Sequence, residues 1–380
     1  MRAVRAVLVL ALLSVGCGRP ATDGLISHPE RPSVIWGRTV QTPNWFAQYA
    51  RNLAPVLPIP GRPVAIVGTS SRSTGAILEA FRTDDGTPLW RREMPGPVEA
   101  AGTLQGDSLF VGTVNGSVHR IHLPSGRDLW VPAAQVSSAI STTPLVLDDP
   151  PLVVVRDAAD RLTALAIEDG AERWSYGRAL PLGGPSLQGA PDPVLIGGGI
   201  IAGFADGTVE ALEPADGSVR WSRRLCNDRR QMNDADMTPL ELPDGSILTG
   251  CHSRGIAALS ALDGTVLGTR RVPGPLHAVL DGDNLWLTTA AGTLYALDPD
   301  TLEARWELAL GETPMGEARR CGGLLLVPID RSMMMIDPAS GLALGEMATG
   351  YGLSASAACV DGDLLALTDG GVLYRTRLLQ

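Results

Sequence analysis

The feature that most constrains this chain is a short unit that returns along its length. Its clearest copy is Gly207-Thr208-Val209-Glu210-Ala211-Leu212-Glu213-Pro214-Ala215-Asp216-Gly217-Ser218-Val219-Arg220-Trp221. Residues 208–212 alternate and end on a large apolar side chain, which reads as a strand. Residues 214–217 read as a tight turn in which Gly217 takes positive φ, and residues 218–221 begin the returning strand. The unit is a β-hairpin whose second strand delivers one indole. A lone hairpin cannot bury that ring, so neighbouring copies must do it.

Aligned on the turn glycine, with Trp four positions later, seven copies appear: 76–90, 116–130, 160–174, 207–221, 254–268, 292–306 and 331–345. Two copies carry glycine in the Trp slot, Gly268 and Gly345, and one carries Leu302 in the turn slot. An eighth copy opens at Gly371 and lacks its returning strand before Gln380. Near the other end, Val34-Ile35-Trp36 is an apolar strand with a Trp and no hairpin before it. It can supply the missing strand and close the array into a ring without open ends. Successive Trp slots lie 40, 44, 47, 47, 38 and 39 residues apart. That period, with a strand–turn–strand pattern such as 280–287 or 360–367 between hairpins, is propeller spacing. The expected fold is all-β: an eight-bladed β-propeller of four-stranded antiparallel blades over 33–380, closed by the N-terminal strand. Trp36, Trp90, Trp130, Trp174, Trp221 and Trp306 are its structural tryptophans.

A chain of 380 residues is long for one core, but blades pack only on their neighbours. With 44% hydrophobic residues, the 44 glycines and 29 prolines indicate dense turns, not disorder. The net charge of −10 disfavours nucleic acid as a partner, because phosphate binding needs a basic face. Residues 1–16 read as an export signal: Arg2 and Arg5 precede an apolar run at 6–13 too short to span a membrane. Small residues then lead to Cys17, in the manner of bacterial lipoprotein signals, so Cys17 is the expected lipid attachment point and 17–32 the tether. Gly18 after the cysteine resembles lipoproteins sent on to the outer membrane. The remaining cysteines, Cys226, Cys251, Cys321 and Cys359, permit two disulfides in an exported chain. Their places favour Cys226 with Cys251 and Cys321 with Cys359; four reduced thiols remain the alternative.

The sequence holds little that reads as catalytic chemistry. His119 and His122 sit at the two ends of one strand and do not form a metal pair. There is no HxxxH, CxxC, phosphate-binding loop or nucleophile elbow. The glycine runs 183–184 and 197–199 have no following helix and read as turns. Asp234-Ala235-Asp236 alone supplies too few oxygens for a hard cation. It fits a protein contact or a turn cap better. The two longest spacings flank Trp221, and extra residues in repeats go to loops on a binding face.

The repeat A-L-x-x-x-x-G-x-x-x-W resembles the tryptophan-docking repeat of quinoprotein propellers. With the signal and tether, the chain as a whole resembles the BamB family of outer-membrane β-barrel assembly lipoproteins. Two stretches outside the repeat carry that resemblance. Pro185-Ser186-Leu187-Gln188-Gly189 stands where the family has Leu-x-Leu-Arg-Gly, and Asp234-Ala235-Asp236-Met237-Thr238-Pro239 matches Asp-x-Asp-x-Thr-Pro. Pro185 and Gln188 replace an apolar anchor and a charge. The resemblance implies a non-enzymatic scaffold without cofactor, lipid-anchored on the periplasmic face of the outer membrane. It also implies contact with the periplasmic domains of the barrel-forming subunit through Pro185, Leu187, Gln188, Asp234 and Asp236. On that reading these loops lie side by side on one face. The rival readings are a quinoprotein dehydrogenase and a ligand-binding propeller. Against the first stand the shorter chain, the absence of an adjacent cysteine pair and the lack of clustered carboxylate and amide ligands.

Overall fold

The computed structural model describes residues 32–41, 52–70, 75–178, 191–226, 234–314, 316–330, 332–348 and 352–378. Every regular element among them is a strand, and the strands form eight antiparallel sheets. Numbered along the chain, the blades cover 57–94, 103–135, 145–177, 194–224, 240–270, 275–309, 319–348 and 358–377, the last completed by Ser33–Thr39.

Blade 4 shows how sequence sets burial. Its strands are Val194–Ile196, Gly199–Gly203, Thr208–Leu212 and Val219–Arg224, adjacent in that order. The second and third strands are buried at every residue, because neighbouring blades cover both of their faces; hence their near-continuous apolar runs. The fourth alternates between exposed and covered, as a rim strand does. First strands of neighbouring blades meet each other: Arg319–Cys321 meets Ala358–Val360, which in turn meets Leu57–Pro58. They therefore converge on the axis. Eight apolar clusters each fill one junction, for example Ile201, Val209 and Ala211 of blade 4 against Ile247 and Leu259 of blade 5.

The ring closes as the sequence predicts. Ser33–Thr39 pairs antiparallel with Val372–Arg377, from Ser33 opposite Arg377 to Thr39 opposite Val372. The seam is sealed by Phe81, Val67 and Ala65 of blade 1 packing on Leu365 and Leu373 of blade 8. Arg375 Nη1 donates across it to the Thr83 carbonyl (3.0 Å) while its guanidinium pairs with Asp363 (2.7 Å). Blade 2 departs from the four-strand expectation. Its rim strand is split into Arg127–Asp128 and Ala134–Gln135, both paired to Ser117–His122. Pro132 lies in the gap, where it has no N–H to give a ladder.

Each indole docks on the next blade by one rule. Trp36, Trp90, Trp130, Trp174, Trp221 and Trp306 lie against Gly86, Gly126, Gly170, Gly217, Gly264 and Gly341, where an added Cβ would come within 2.5–3.0 Å of the ring. All six glycines have φ between 67° and 75°. Each indole N–H donates to the carbonyl three residues before that glycine, at 2.7–3.2 Å. Trp130, Trp174 and Trp221 are buried; Trp36, Trp90 and Trp306 are partly covered.

The two glycine slots have different explanations. Blade 8 has no hairpin turn between its third and rim strands, because its rim strand comes from the N-terminal part of the chain. Blade 7 therefore has no turn to dock on, and Gly345 needs no indole. Met333, Met335, Leu378 and the Cys321–Cys359 disulfide, which joins the first strands of blades 7 and 8, fill that junction. At the junction of blades 5 and 6 the docking runs backwards. Gly268 leaves open space, and Leu302, in the turn slot of blade 6 at φ 58°, is buried in the apolar cluster that includes Ala258. Cys226 and Cys251 are also joined, so both pairs favoured by the sequence are present.

Candidate functional site at the roots of the long connections

Of the expected contact residues, Pro185, Leu187 and Gln188 fall in 179–190, which like Cys17 and the connection 227–233 lies outside the described residues, whereas Asp234 and Asp236 are described. The roots of both connections are described. Arg178, Pro191, Cys226 and Asp234 gather around the turns joining second and third strands in blades 3, 4 and 5. Arg178 N–H donates to the Asp160 carbonyl (3.4 Å), Cys226 N–H to the Gly207 carbonyl (3.3 Å), and His252 N–H to the Asp234 carbonyl (3.4 Å).

Arg156 is the centre of this region. It ends the apolar run Leu152–Asp157 and is 1% exposed. Its guanidinium pairs with the Asp160 carboxylate, donates to the Pro191 carbonyl (3.2 Å) and lies 5.6 Å over the Phe204 ring. Arg178 lies over the same ring at 5.8 Å, and binds Asp206 at 2.6 Å and Glu210 at 2.5 Å. Tyr176 OH donates to Glu210 as well (2.6 Å). Phe204 thus touches two arginines, each neutralised by acids, the arrangement a buried guanidinium requires. Equivalent positions before first strands link three blades. Thr143 N–H donates to Asp192 (2.8 Å), and Asp192 N–H donates to Thr238 Oγ1 (3.0 Å).

The two aspartates expected to face a partner are not alike. Asp234 is 1% exposed, so its carboxylate is enclosed and does not project. The reason is local. Ala235 N–H donates to the Phe204 carbonyl (3.1 Å), Gly203 leaves room for the Ala235 carbonyl, and Ala235 and Met237 are themselves buried. The stretch is therefore pressed onto blade 4. Asp236 remains partly exposed, and its Oδ1 is buried without a hydrogen-bond partner. Burial, then the Asp234 charge, push the Asp236 carboxyl up to about 7, against the pull of Arg156. Asp192 is pushed up to about 6, also by burial. Sequence reasoning missed Arg156, Phe204 and Asp192. A charged residue inside the apolar strand Leu152–Asp157 was the available signal. It also missed a second docking rule: Arg92, Arg223 and Arg270, two residues past the Trp slot, donate to the turn carbonyls of Gly126, Gly264 and Leu302.

Elsewhere, Ser117 Oγ, His119 and Asp128 form a relay, with Nε2 at 3.0 Å and Nδ1 at 3.2 Å, and Arg92 of blade 1 binds Asp128 at 2.7 Å. Ser117 and His119 are each 5% exposed, and burial lowers the imidazole pKa, so the relay ties two blades together. Among the described residues, no three His, Cys, Asp or Glu side chains are placed to hold a metal ion.

Repeat, docking rule and ring closure define the class: an eight-bladed β-propeller of tryptophan-docked, quinoprotein-like repeats. Residues 74–308 match the family described as outer membrane protein assembly factor BamB, and the chain belongs to that family. It is 26% identical over 237 residues to the outer membrane protein assembly factor BamB of Shewanella oneidensis, a match covering 58% of each chain. The alignment thus spans little more than half of that relative. The structure is similar to that of BamB from Moraxella catarrhalis, with TM-score 0.74 and 18% identity over 92% of this chain and all of that one. It is also similar to the quinohemoprotein alcohol dehydrogenase of Comamonas testosteroni, with TM-score 0.68 and 12% identity over 91% of this chain and 76% of the enzyme. At these identities both likenesses show the fold alone.

Proposed function

We propose that this protein is a non-enzymatic scaffold of the outer-membrane β-barrel assembly machinery that binds the periplasmic domains of the barrel-forming subunit. Cys17 carries its lipid, holding it on the periplasmic face of the outer membrane. The observation that carries this reading is family membership joined to the clamped roots of 179–190 and 227–233. Loops that bind on a propeller need fixed bases, and Arg156, Arg178 and the Cys226–Cys251 disulfide fix these. Pro185, Leu187, Gln188 and Asp236 are the contact residues. Asp234, being enclosed, sets the base of the second loop.

The test is co-purification from detergent-solubilised membranes. Leu187→Asp and, separately, Asp236→Arg should lose the barrel-forming subunit at normal expression and thermal midpoint. Retention by both variants would remove the assigned contact, and failure of the unaltered protein to recover that subunit would remove the function. Cys17→Ser should move the protein from the membrane to the soluble periplasmic fraction.

A further inference from the structure

We infer that the groove between blades 4 and 5 is a docking site for an extended acidic peptide segment of a partner protein. This goes beyond the scaffold reading and does not rest on it. The groove has a volume of about 730 Å³ and is lined by Arg224, Arg254, Arg270 and Arg271, with Leu225, Ile256, Ala257 and Val266 among its walls. No carboxylate is among its described lining residues, in a chain whose net charge is −10. Neighbouring arginines on the same blades are spent internally. Arg220 pairs with Glu213 (2.8 Å), and Arg223 donates to the Gly264 carbonyl (2.7 Å). Arg270 pairs with Glu303 (3.0 Å) and Arg224 Nη2 donates to the Asp206 carbonyl (3.3 Å); Arg224, Arg254 and Arg271 are all exposed to solvent.

The groove is built rather than incidental. The Cys226–Cys251 disulfide anchors its floor across the two blades. Gly255, at φ 104°, lets the 251–255 turn wrap the end of the rim strand, where a Cβ would come within 2.6 Å of Val272 N. That close approach sets Arg254 beside the Arg270–Arg271 pair. The comparable groove at blade 3 has mixed charge. Glu172 lines it with Arg161, and Arg178 there is taken by Asp206 and Glu210.

Three features select a peptide as occupant. Guanidinium groups bind carboxylates with two parallel hydrogen bonds. The apolar walls take the alternate side chains of an extended chain, whose successive same-side residues repeat about every 7 Å. The groove also takes in Val266, Thr269 and Arg270 of the terminal strand of its sheet, so an extended segment lying in it runs beside a strand. The overall negative charge repels acidic chains elsewhere, so the local positive field confers selectivity.

The probe is a fluorescein-labelled hexapeptide of alternating Glu and Val, titrated into the full chain and read by anisotropy, with a Lys–Val hexapeptide as control. Saturable binding of the acidic peptide alone is expected, weakening with salt. Arg224→Glu with Arg271→Glu should weaken it at least tenfold at an unchanged thermal midpoint, and Arg271→Gln alone should weaken it measurably if the double variant does not fold. Phosphatidylglycerol vesicles and inorganic phosphate serve as competitors. The inference is overturned if the acidic peptide does not bind, if binding survives these substitutions, or if vesicles or phosphate displace the peptide at lower concentration than unlabelled peptide does.

Discussion

Where blades 4 and 5 meet at the rim, Trp221 lies flat on Gly264 and gives its one N–H to the Ala261 carbonyl. At the opposite end of the neighbouring blades, Arg156 is sealed among Asp160, Phe204 and the Pro191 carbonyl. The first solution is apolar, neutral and used at six junctions, since any blade pair offers the same turn and the same ring. The second is ionic, and it stands where two long connections must start from fixed points. An apolar dock tolerates repetition because it needs only shape. A buried charge needs every partner present at once, so it suits a unique place and gives pH a handle there.

The largest effects should come from removing either centrepiece. Trp221→Ala should cost about 3–5 kcal/mol of stability, because the rim cavity has rigid backbone on its far side. Arg156→Met should cost a similar amount, about 3–5 kcal/mol, through the acids left unpaired. The comparison separates the two by pH. Denaturant unfolding at pH 5 and pH 8 should give the Trp221 variant a constant deficit and the Arg156 variant a smaller deficit at pH 5, where Asp192 and Asp236, whose ionised forms Arg156 favours, take up protons. Equal pH responses would erase the distinction.

The reversed dock between blades 5 and 6 offers a finer test of the rim rule. Gly268→Trp alone should destabilise, since the turn its ring would dock on carries the Leu302 side chain where the other docks have glycine. Leu302→Gly alone should leave a cavity. Together they recreate an indole over a glycine turn, so the double variant should exceed the sum of the single effects by about 1–3 kcal/mol in a double-mutant cycle. Additive behaviour would mean that shape alone does not define the dock.

How much of this was legible follows from the same contrast. Repetition made the rim readable: the Trp slots, the turn glycines and the closing role of Trp36 all follow from one alignment. Even Gly345 could have been read, since a blade completed by the N-terminal strand has no turn to receive an indole. Leu302 could not, because nothing in a sequence says that a leucine will accept φ 58° and fill a gap from the other side. The roots were legible only as positions. Asp234 and Asp236 look equivalent as letters two residues apart. Their difference comes from Ala235 bonding to Phe204 of another repeat, a long-range contact with no local signature.

The smallest effect tests the ionic side of the comparison. Burial and the Asp234 charge hold the Asp236 carboxyl at about 7 in the folded chain, against an ordinary carboxylate in the unfolded one. Between about pH 4 and that value, the folded state keeps a proton that the unfolded state has released, so stability falls as pH rises through this window and levels off above it. Asn cannot ionise. Asp236→Asn should therefore match the unaltered protein near pH 4 and exceed it at pH 8, by about 1–2 kcal/mol after allowing for solvent screening at a partly exposed site. A cationic partner group at Asp236 would favour the ionised form, so binding of the barrel-forming subunit should strengthen from pH 6 to pH 8 and lose that dependence in the Asn variant. Chemical denaturation across the pH series checks the first effect and co-purification at the two pH values checks the second. A variant whose advantage is the same at pH 4 and pH 8 would show that Asp236 titrates in the usual carboxylate range, and that charge at the roots is as insensitive to pH as the indoles at the rim.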